Sequence, residues 1–198
     1  MANVQHPGFL PCAYGTGGTV SYVRRRVLSN NTNPIGLQDA VKGDANGNVL
    51  GLGTSSTQST AIDTVAMGVS YVNSSSERIG AKNLPASTTY TGSTVDPVNA
   101  TYAFVVENAP LAKFRASADG AIAITDLRLN MEIILGTPVN GLSVQELDAS
   151  TAATTATLPV RVLEFIFAAD NDVDSADAHV YCTVNAGQTE PALTTTGL

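Results

Sequence analysis

Apolar and polar residues alternate along most of this chain in short runs, and residues that favour turns interrupt each run. Residues 19–28, TVSYVRRRVL, alternate with a period of two, which is typical of a β-strand. Residues 61–72 are more continuously apolar, and residues 101–116 hold two apolar runs separated by the break from Asn108 to Pro110. This pattern predicts an all-β fold, either an antiparallel β-sandwich or a small barrel.

Two parts of the pattern predict β-hairpins. In residues 38–53, the dipeptide Asn46-Gly47 favours a tight turn because both residue types tolerate a positive φ angle. The runs 161–169 and 178–184 enclose a short acidic segment, so we expect them to be adjacent antiparallel strands.

Residues 117–135 are the only region whose pattern also fits a helix, and a short helix would begin near Ser117 or Asp119. A further short strand is expected from Ser143 to Leu147. The predicted strands place seven large apolar residues in the core, namely Phe104, Val106, Val162, Phe165, Phe167, Val180 and Val184.

The first 18 residues contain two prolines and four glycines, a composition that excludes a regular helix or a central strand. Phe9, Leu10 and Tyr14 nevertheless make this segment apolar. We interpret residues 1–18 as an extended arm whose apolar side chains contact a partner. Deletion of residues 1–14 is then predicted to weaken attachment to that partner without unfolding the core.

Residues 73–100 are polar, marked by Gly and Pro, and predicted to form one long loop. The charges of this segment lie near its start, at Glu77, Arg78 and Lys82. Such a weakly charged loop is able to lie along another protein without burying unpaired charge. The alternative interpretation is a mobile surface loop.

The length of 198 residues is that of one domain, which we place at residues 19–186, with a loosely ordered tail at 187–198. Charged residues make up only 14% of the chain, against an average of about 25%. The net charge is −7, from 10 basic and 17 acidic residues. Binding to nucleic acid or to an anionic membrane requires clustered cations, so we expect neither partner.

The N-terminal sequence lacks the basic and apolar regions of a secretory signal, and no stretch reaches the length of about 20 apolar residues that a membrane span needs. We therefore expect synthesis in a cytoplasm.

Three of the ten basic residues are consecutive, at Arg24, Arg25 and Arg26 in the first predicted strand. Charges in such a position protect an exposed edge strand from pairing with another chain. They also form a basic stripe that suits an acidic partner. The sequence favours neither interpretation over the other.

Asp170, Asp172 and Asp174 have the spacing of the first three ligands of a calcium loop. The sixth position is Ser175 where that loop requires Gly, and the twelfth is Tyr181 where it requires Glu. A solvated hairpin turn is therefore the preferred interpretation, and calcium is a weak alternative.

No other residues suggest chemistry. Cys12 and Cys182 fit reduced thiols better than a disulfide, and His6 and His179 stand at no spacing known for a nucleophile and its base. The glycines match no phosphate-binding motif. We expect no enzymatic activity and no cofactor.

Several segments share their order, spacing and character with a known family. They are HPGFLPCAYGTGGTVSYVRRRVL, NVLGLG, GVSYVNSSSERIGAKNLPAS, YAFVVENAPLAKFRASADGAIAITDL, SVQELDASTAATTATLPVRVLEFIF, ADND and AHVYCTVN. Together these segments resemble tailed-bacteriophage head proteins, specifically the small capsid decoration (cement) proteins encoded beside the major capsid protein.

The resemblance implies a β-rich subunit on the outside of an icosahedral head, often a homotrimer at or near three-fold positions, that binds the major capsid protein and reinforces the expanded shell. The family has no catalytic residues to carry over. The expected contact residues come from the arm, the basic stripe and the loop: Phe9, Leu10, Tyr14, Arg24, Arg25, Arg26, Glu77, Arg78 and Lys82. The alternatives are another virion β-domain, at the neck, tail or fibre, and a surface module that binds calcium or carbohydrate.

Overall fold

The computed structural model describes residues 7–15, 17–44, 46–54, 56–86 and 100–185. Its strands are β1 (Leu10–Tyr14), β2 (Tyr22–Arg26), β3 (Ala40–Gly43), β4 (Val49–Gly51), β5 (Thr57–Gln58), β6 (Thr64–Val72), β7 (Arg78–Ala81), β8 (Tyr102–Val106), β9 (Ala112–Ser117), β10 (Asn130–Ile134), β11 (Glu146–Ala153), β12 (Val160–Phe165) and β13 (His179–Val184). Short 3₁₀ turns lie at Ala109–Leu111 and Ile124–Asp126.

Two antiparallel sheets pack as a sandwich, so the all-β prediction is confirmed and the sandwich is the correct one of the two architectures. The seven-stranded sheet has the order β1-β9-β13-β12-β10-β11, with β5 paired to β10. The six-stranded sheet has the order β2-β8-β6-β3-β4, with β7 paired to β6. No helix in the described ranges is long and apolar enough to cross a membrane.

Both predicted hairpins are confirmed. Strands β3 and β4 pair around a turn in which Gly47 has a φ of 76°. The carboxylate of Asp44 accepts the backbone N–H groups of Asn46 and Asn48, at 2.9 and 2.8 Å. Strands β12 and β13 pair antiparallel around the acidic segment.

Residues 117–135, whose pattern fits a helix as well as a strand, contain strands and a 3₁₀ turn and no α-helix. Strand β9 continues to Ser117, and the next two residues stay with the seven-stranded sheet, where Ala118 bridges Leu147 and the Asp119 N–H donates to the Leu147 carbonyl at 3.0 Å. Because the backbone groups of residues 118 and 119 pair with Leu147 of the sheet, they do not form helical hydrogen bonds. Within residues 117–135, only the 3₁₀ turn at Ile124–Asp126 is helical. The strand predicted at 143–147 begins and ends later, as β11.

The main core lies between the two sheets and includes Phe9, Phe114 and Met131. A smaller cluster, which includes Val41 and Val105, lies on the other face of the six-stranded sheet. Adjacent residues of one strand contribute to opposite clusters, as strand alternation requires.

Of the predicted core residues, five are buried: Val106, Val162, Phe165, Val180 and Val184. The predictions for Phe104 and Phe167 are wrong, because these side chains are 40% and 81% exposed. Phe104 lies on the same side of β8 as the buried Val106 but where the other sheet does not cover it, and Phe167 follows the end of β12.

Candidate interaction surfaces

The N-terminal segment is part of the sandwich from residue 7 onward. Strand β1 pairs antiparallel with β9, and the Phe9 side chain is fully buried in the main core. The Phe9 ring meets the Phe114 ring edge-on, with 6.5 Å between ring centroids. The expectation that Phe9 contacts a partner is therefore wrong, whereas Leu10 remains 42% exposed.

Tyr14 connects the two sheets. Its hydroxyl donates to the Glu107 carbonyl at 2.9 Å, and its oxygen lies 2.8 Å from the Ser21 hydroxyl oxygen. The Ser21 hydroxyl in turn lies 2.7 Å from the Glu107 carboxylate and donates to it. Tyr14 thus has a structural role within the chain, which leaves its predicted contact with a partner untested.

An apolar groove opens on the seven-stranded sheet beside the end of β1 and encloses about 580 Å³. Its walls consist of Gly15, Lys113, Ile124, Leu127, Arg128, Leu163, Glu164, Phe165 and Phe167. Ile124 is 76% exposed and Phe167 is 81% exposed. The exposed Leu111 adjoins the groove, because its carbonyl accepts the Gly15 N–H at 2.8 Å. Contiguous apolar surface with a polar rim is typical of protein–protein contacts.

Ordered contacts support this apolar groove. Phe165 is buried, and its ring centroid lies 6.1 Å from that of Phe167 in a tilted arrangement. Lys113 forms an ion pair with Glu164 across the groove wall. The Lys113 ammonium also lies 3.8 Å from the centroid of the Tyr181 ring. The sequence pattern did not indicate this surface, since it assigned Phe167 to the core.

A second surface lies on the part of the six-stranded sheet that the other sheet does not cover. We name it the arginine–aromatic face and define it by Tyr22, Arg24, Arg26, Arg78, Tyr102 and Phe104. Arg24 opposes Phe104, and Arg26 opposes Tyr102, across the β2–β8 ladder. Arg25 opposes Ala103 and so points to the other side of the sheet.

Strand β2 is an edge strand of the six-stranded sheet in the described part of the chain, as the edge interpretation of the arginine run expects. That the charges protect this edge stays a prediction. The interpretation as a stripe that meets an acidic partner stays a prediction.

The predicted long loop at 73–100 is partly a strand. Strand β7 pairs with β6, and Leu84 bridges Ile35, so the first part of this segment belongs to the sheet. Glu77 lies in the tight β6–β7 turn, where its carboxylate accepts the Asn73 side-chain amide at 3.2 Å. Lys82 is exposed just after β7. Residues 87–99 lie outside the described part of the chain.

The acidic segment between β12 and β13 is organised by its own hydrogen bonds. The carboxylate of Asp172 accepts the Asp174 N–H at 3.2 Å and the Ser175 hydroxyl at 2.9 Å. Within the described ranges, no group of three or more His, Cys, Asp and Glu residues is placed to hold a metal ion, and this applies to Asp170, Asp172 and Asp174. These contacts are those of a hydrogen-bonded turn.

A buried polar cluster anchors that segment, and the sequence did not indicate it. The Asn171 amide donates to the carbonyls of Ile166 and His179, at 2.6 and 2.9 Å, and its oxygen accepts the His179 N–H at 2.7 Å. The His179 ring is buried, with Nδ1 at 2.9 Å from a guanidinium nitrogen of Arg115. Because arginine only donates, Nδ1 is the unprotonated nitrogen of this ring.

Two cysteines and one buried aspartate are further reactive groups among the described residues. Cys12 is exposed and Cys182 is fully buried, and both are free thiols. Burial, and to a lesser degree Cys12, raises the pKa of the Cys182 thiol. Burial also raises the pKa of the Asp39 carboxyl, although the Ser143 hydroxyl and the Gly36 N–H oppose that shift. The Gly36 N–H lies 2.5 Å from one Asp39 oxygen and fixes the chain just before β3.

The chain matches no family model, no curated protein and no solved structure.

Proposed function

We propose that this chain is a structural protein of a tailed-phage virion that binds the outside of the head and joins neighbouring major capsid protein subunits. The family resemblance of its segments motivates the proposal. The structural observation that carries it is the apolar groove with Leu111, Ile124, Leu127 and Phe167 around it. A surface of this kind suits a protein whose work is contact with other subunits.

The energetics of the groove fit an assembly role. Complete burial of one large apolar side chain contributes about 1.5–3 kcal/mol. The side chains of Phe167 and Ile124 are mostly exposed to solvent. They can therefore become buried only by contact with another molecule. We assign the groove to contacts between copies in a homotrimer. Its apolar centre and its charged rim, with Arg128 and Glu164, resemble the anatomy of stable interfaces.

Attachment to the shell then uses a different surface of the trimer. Each copy needs an interface of about 1,000 Å² or more with the capsid subunits. Many symmetric copies that bind only the expanded lattice stabilise that lattice by mass action. The acidic outer coat, with a net charge of −7 per chain, repels free nucleic acid.

Electron cryo-microscopy of the particles made by the phage that encodes this chain tests the proposal. Many copies over the outer shell, each bridging capsid subunits, are the expected result. A few copies at the neck or tail would reject the cement role and keep a structural role in the virion. Absence of the chain from the particle would reject both roles and return attention to a calcium- or carbohydrate-binding module.

A further inference from the structure

The arginine–aromatic face is built around the ring of Tyr102, which lies between two guanidinium groups. The Arg24 Cζ atom is 4.3 Å from the ring centroid, and the Arg78 Cζ atom is 5.8 Å from it. The Arg78 side chain, which starts from β7, also donates to the Ser70 hydroxyl at 3.1 Å and to the Ala100 carbonyl at 3.3 Å. Four strands, β2, β6, β7 and β8, and the chain before β8 therefore hold these cations in place.

Stacking on a ring leaves a guanidinium suited to a carboxylate. The interaction with the ring uses the flat face of the group, whereas hydrogen bonds to a carboxylate use the N–H donors at its edge. An arginine side chain that is already held in place loses less conformational entropy than a mobile one when it forms bidentate hydrogen bonds to a carboxylate. Arg24 has this arrangement at the centre of the face.

Exposed aromatic surface surrounds the cations. Tyr22 is 51% exposed and Phe104 is 40% exposed. Beside them, Gly68, Ser70 and Gly80 lie on the same side of the sheet and leave a shallow hollow, with no atom within 4 Å of where a Cβ of Gly80 would lie. Aromatic residues and arginine are the side chains enriched where proteins bind each other.

The charge of the face is opposite to that of the whole chain. Three of the ten basic residues lie on it, in a protein of net charge −7. Among the described carboxylates on strands and turns next to the face, that of Glu107 accepts the Ser21 hydroxyl at 2.7 Å and that of Glu77 accepts the Asn73 amide. A short-range positive patch within a negative field favours a compact cluster of carboxylates over a long polyanion such as nucleic acid.

We infer that the arginine–aromatic face binds an acidic protein surface, with Arg24 pairing a carboxylate of the partner while Tyr22 and Phe104 contact its apolar side chains. The inference rests on the proposed function only for the identity of the partner, which would then be the capsid shell. The binding itself is a property of the isolated chain, so its test does not depend on any virion.

Fluorescence anisotropy with fluorescein-labelled deca-glutamate as the probe tests the inference on the full chain. We expect Arg24→Gln to weaken binding about fivefold, as loss of one partly exposed charge pair does. Arg161→Gln is the matched control, because it removes the same charge from β12 on the other sheet and is expected to leave the affinity unchanged. Arg24→Lys is expected to weaken binding as well, since lysine keeps the charge but lacks the planar group.

The opposing outcomes are distinct. Equal affinities of wild type, Arg24→Gln and Arg161→Gln would overturn the inference, as would tighter binding of an oligothymidylate of ten nucleotides, which would make the face a phosphate site. If Arg24→Gln fails to fold, amide chemical-shift changes in the wild type on addition of deca-glutamate give the same decision. Changes centred on strands β2, β7 and β8 support the inference, and changes centred on the seven-stranded sheet overturn it.

Discussion

The ring of Phe9 packs edge-on against the ring of Phe114, and both side chains are fully buried in the main core. This contact joins the segment before β1 to the middle of β9. Phe9→Ala is therefore expected to lower the free energy of unfolding by about 3–5 kcal/mol, since it removes a buried aromatic side chain and leaves a cavity. Urea denaturation followed by circular dichroism measures the change.

Leu10→Ala is the control for the Phe9 substitution, because Leu10 is the next residue and is 42% exposed. Its expected effect is about 1 kcal/mol or less. Equal losses at the two positions would show that the segment does not pack as described. The same packing reverses the expected result of deleting residues 1–14. That deletion removes Phe9 and the whole of strand β1, which pairs with β9, so it should destabilise the domain itself.

A pair of aspartates is expected to give opposite dependences of stability on pH. Burial holds the folded-state pKa of Asp39 above its ordinary value of 3.8, despite hydrogen bonds from Ser143 and Gly36. The buried carboxylate is then disfavoured, and the wild type loses stability as pH rises from about 3.8 through the folded-state pKa. Asp39→Asn does not titrate, so its stability relative to the wild type should increase over that window.

Asp44→Asn is the matched comparison with the opposite sign. A small burial effect would raise the pKa of Asp44, but hydrogen bonds from Asn48 and Asn46 outweigh it and lower the pKa below 3.8. That carboxylate stabilises the fold above the unfolded-state pKa, and the contribution is lost as pH falls through the folded-state pKa. Thermal unfolding from pH 3 to 7 measures both variants, and parallel curves for the two would contradict these assignments.

The alternation of apolar and polar residues was enough to predict the all-β class and both hairpins, because strand period and turn residues are local properties. It could not predict the exposure of Phe104, since alternation places that side chain on one side of β8 but does not say that the other sheet stops short of it. Val106, on the same side of the same strand, is covered.

Long-range contacts account for the other errors. Phe9 stands among glycines and prolines, and only its contact with Phe114, far away in sequence, makes it a core residue. Only one part of the arginine–aromatic face could be predicted from the sequence. The run from Arg24 to Arg26 is a local feature, whereas the position of Arg78 beside Tyr102 depends on the pairing of β7 with β6. The apolar groove combines separate loops and strands and has no local pattern.

Asn171 is expected to matter for stability more than the aspartates around it. Its side chain makes hydrogen bonds to Ile166 and to both backbone groups of His179, and it is 8% exposed. Asn171→Ala leaves these buried groups without partners and is expected to lower the free energy of unfolding by about 1–3 kcal/mol. Asp174→Ala, at an exposed position of the same turn, is expected to change it by about 0.5 kcal/mol or less. Chemical denaturation measures the free energy of unfolding of both variants. A larger decrease for Asp174→Ala than for Asn171→Ala would mean that other contacts stabilise the turn.

Phe167 is expected to act in assembly and not in folding. Its ring is 81% exposed and touches the Phe165 ring at the groove, so Phe167→Ser should change the free energy of unfolding by about 1 kcal/mol or less. Sedimentation velocity over a range of concentrations should show a trimer for the wild type and a shift toward monomer for the variant. Val139→Ser is the control, because Val139 is 58% exposed and lies outside the groove. A trimer that survives in Phe167→Ser, or that Val139→Ser disrupts equally, would remove the groove from the contact between copies.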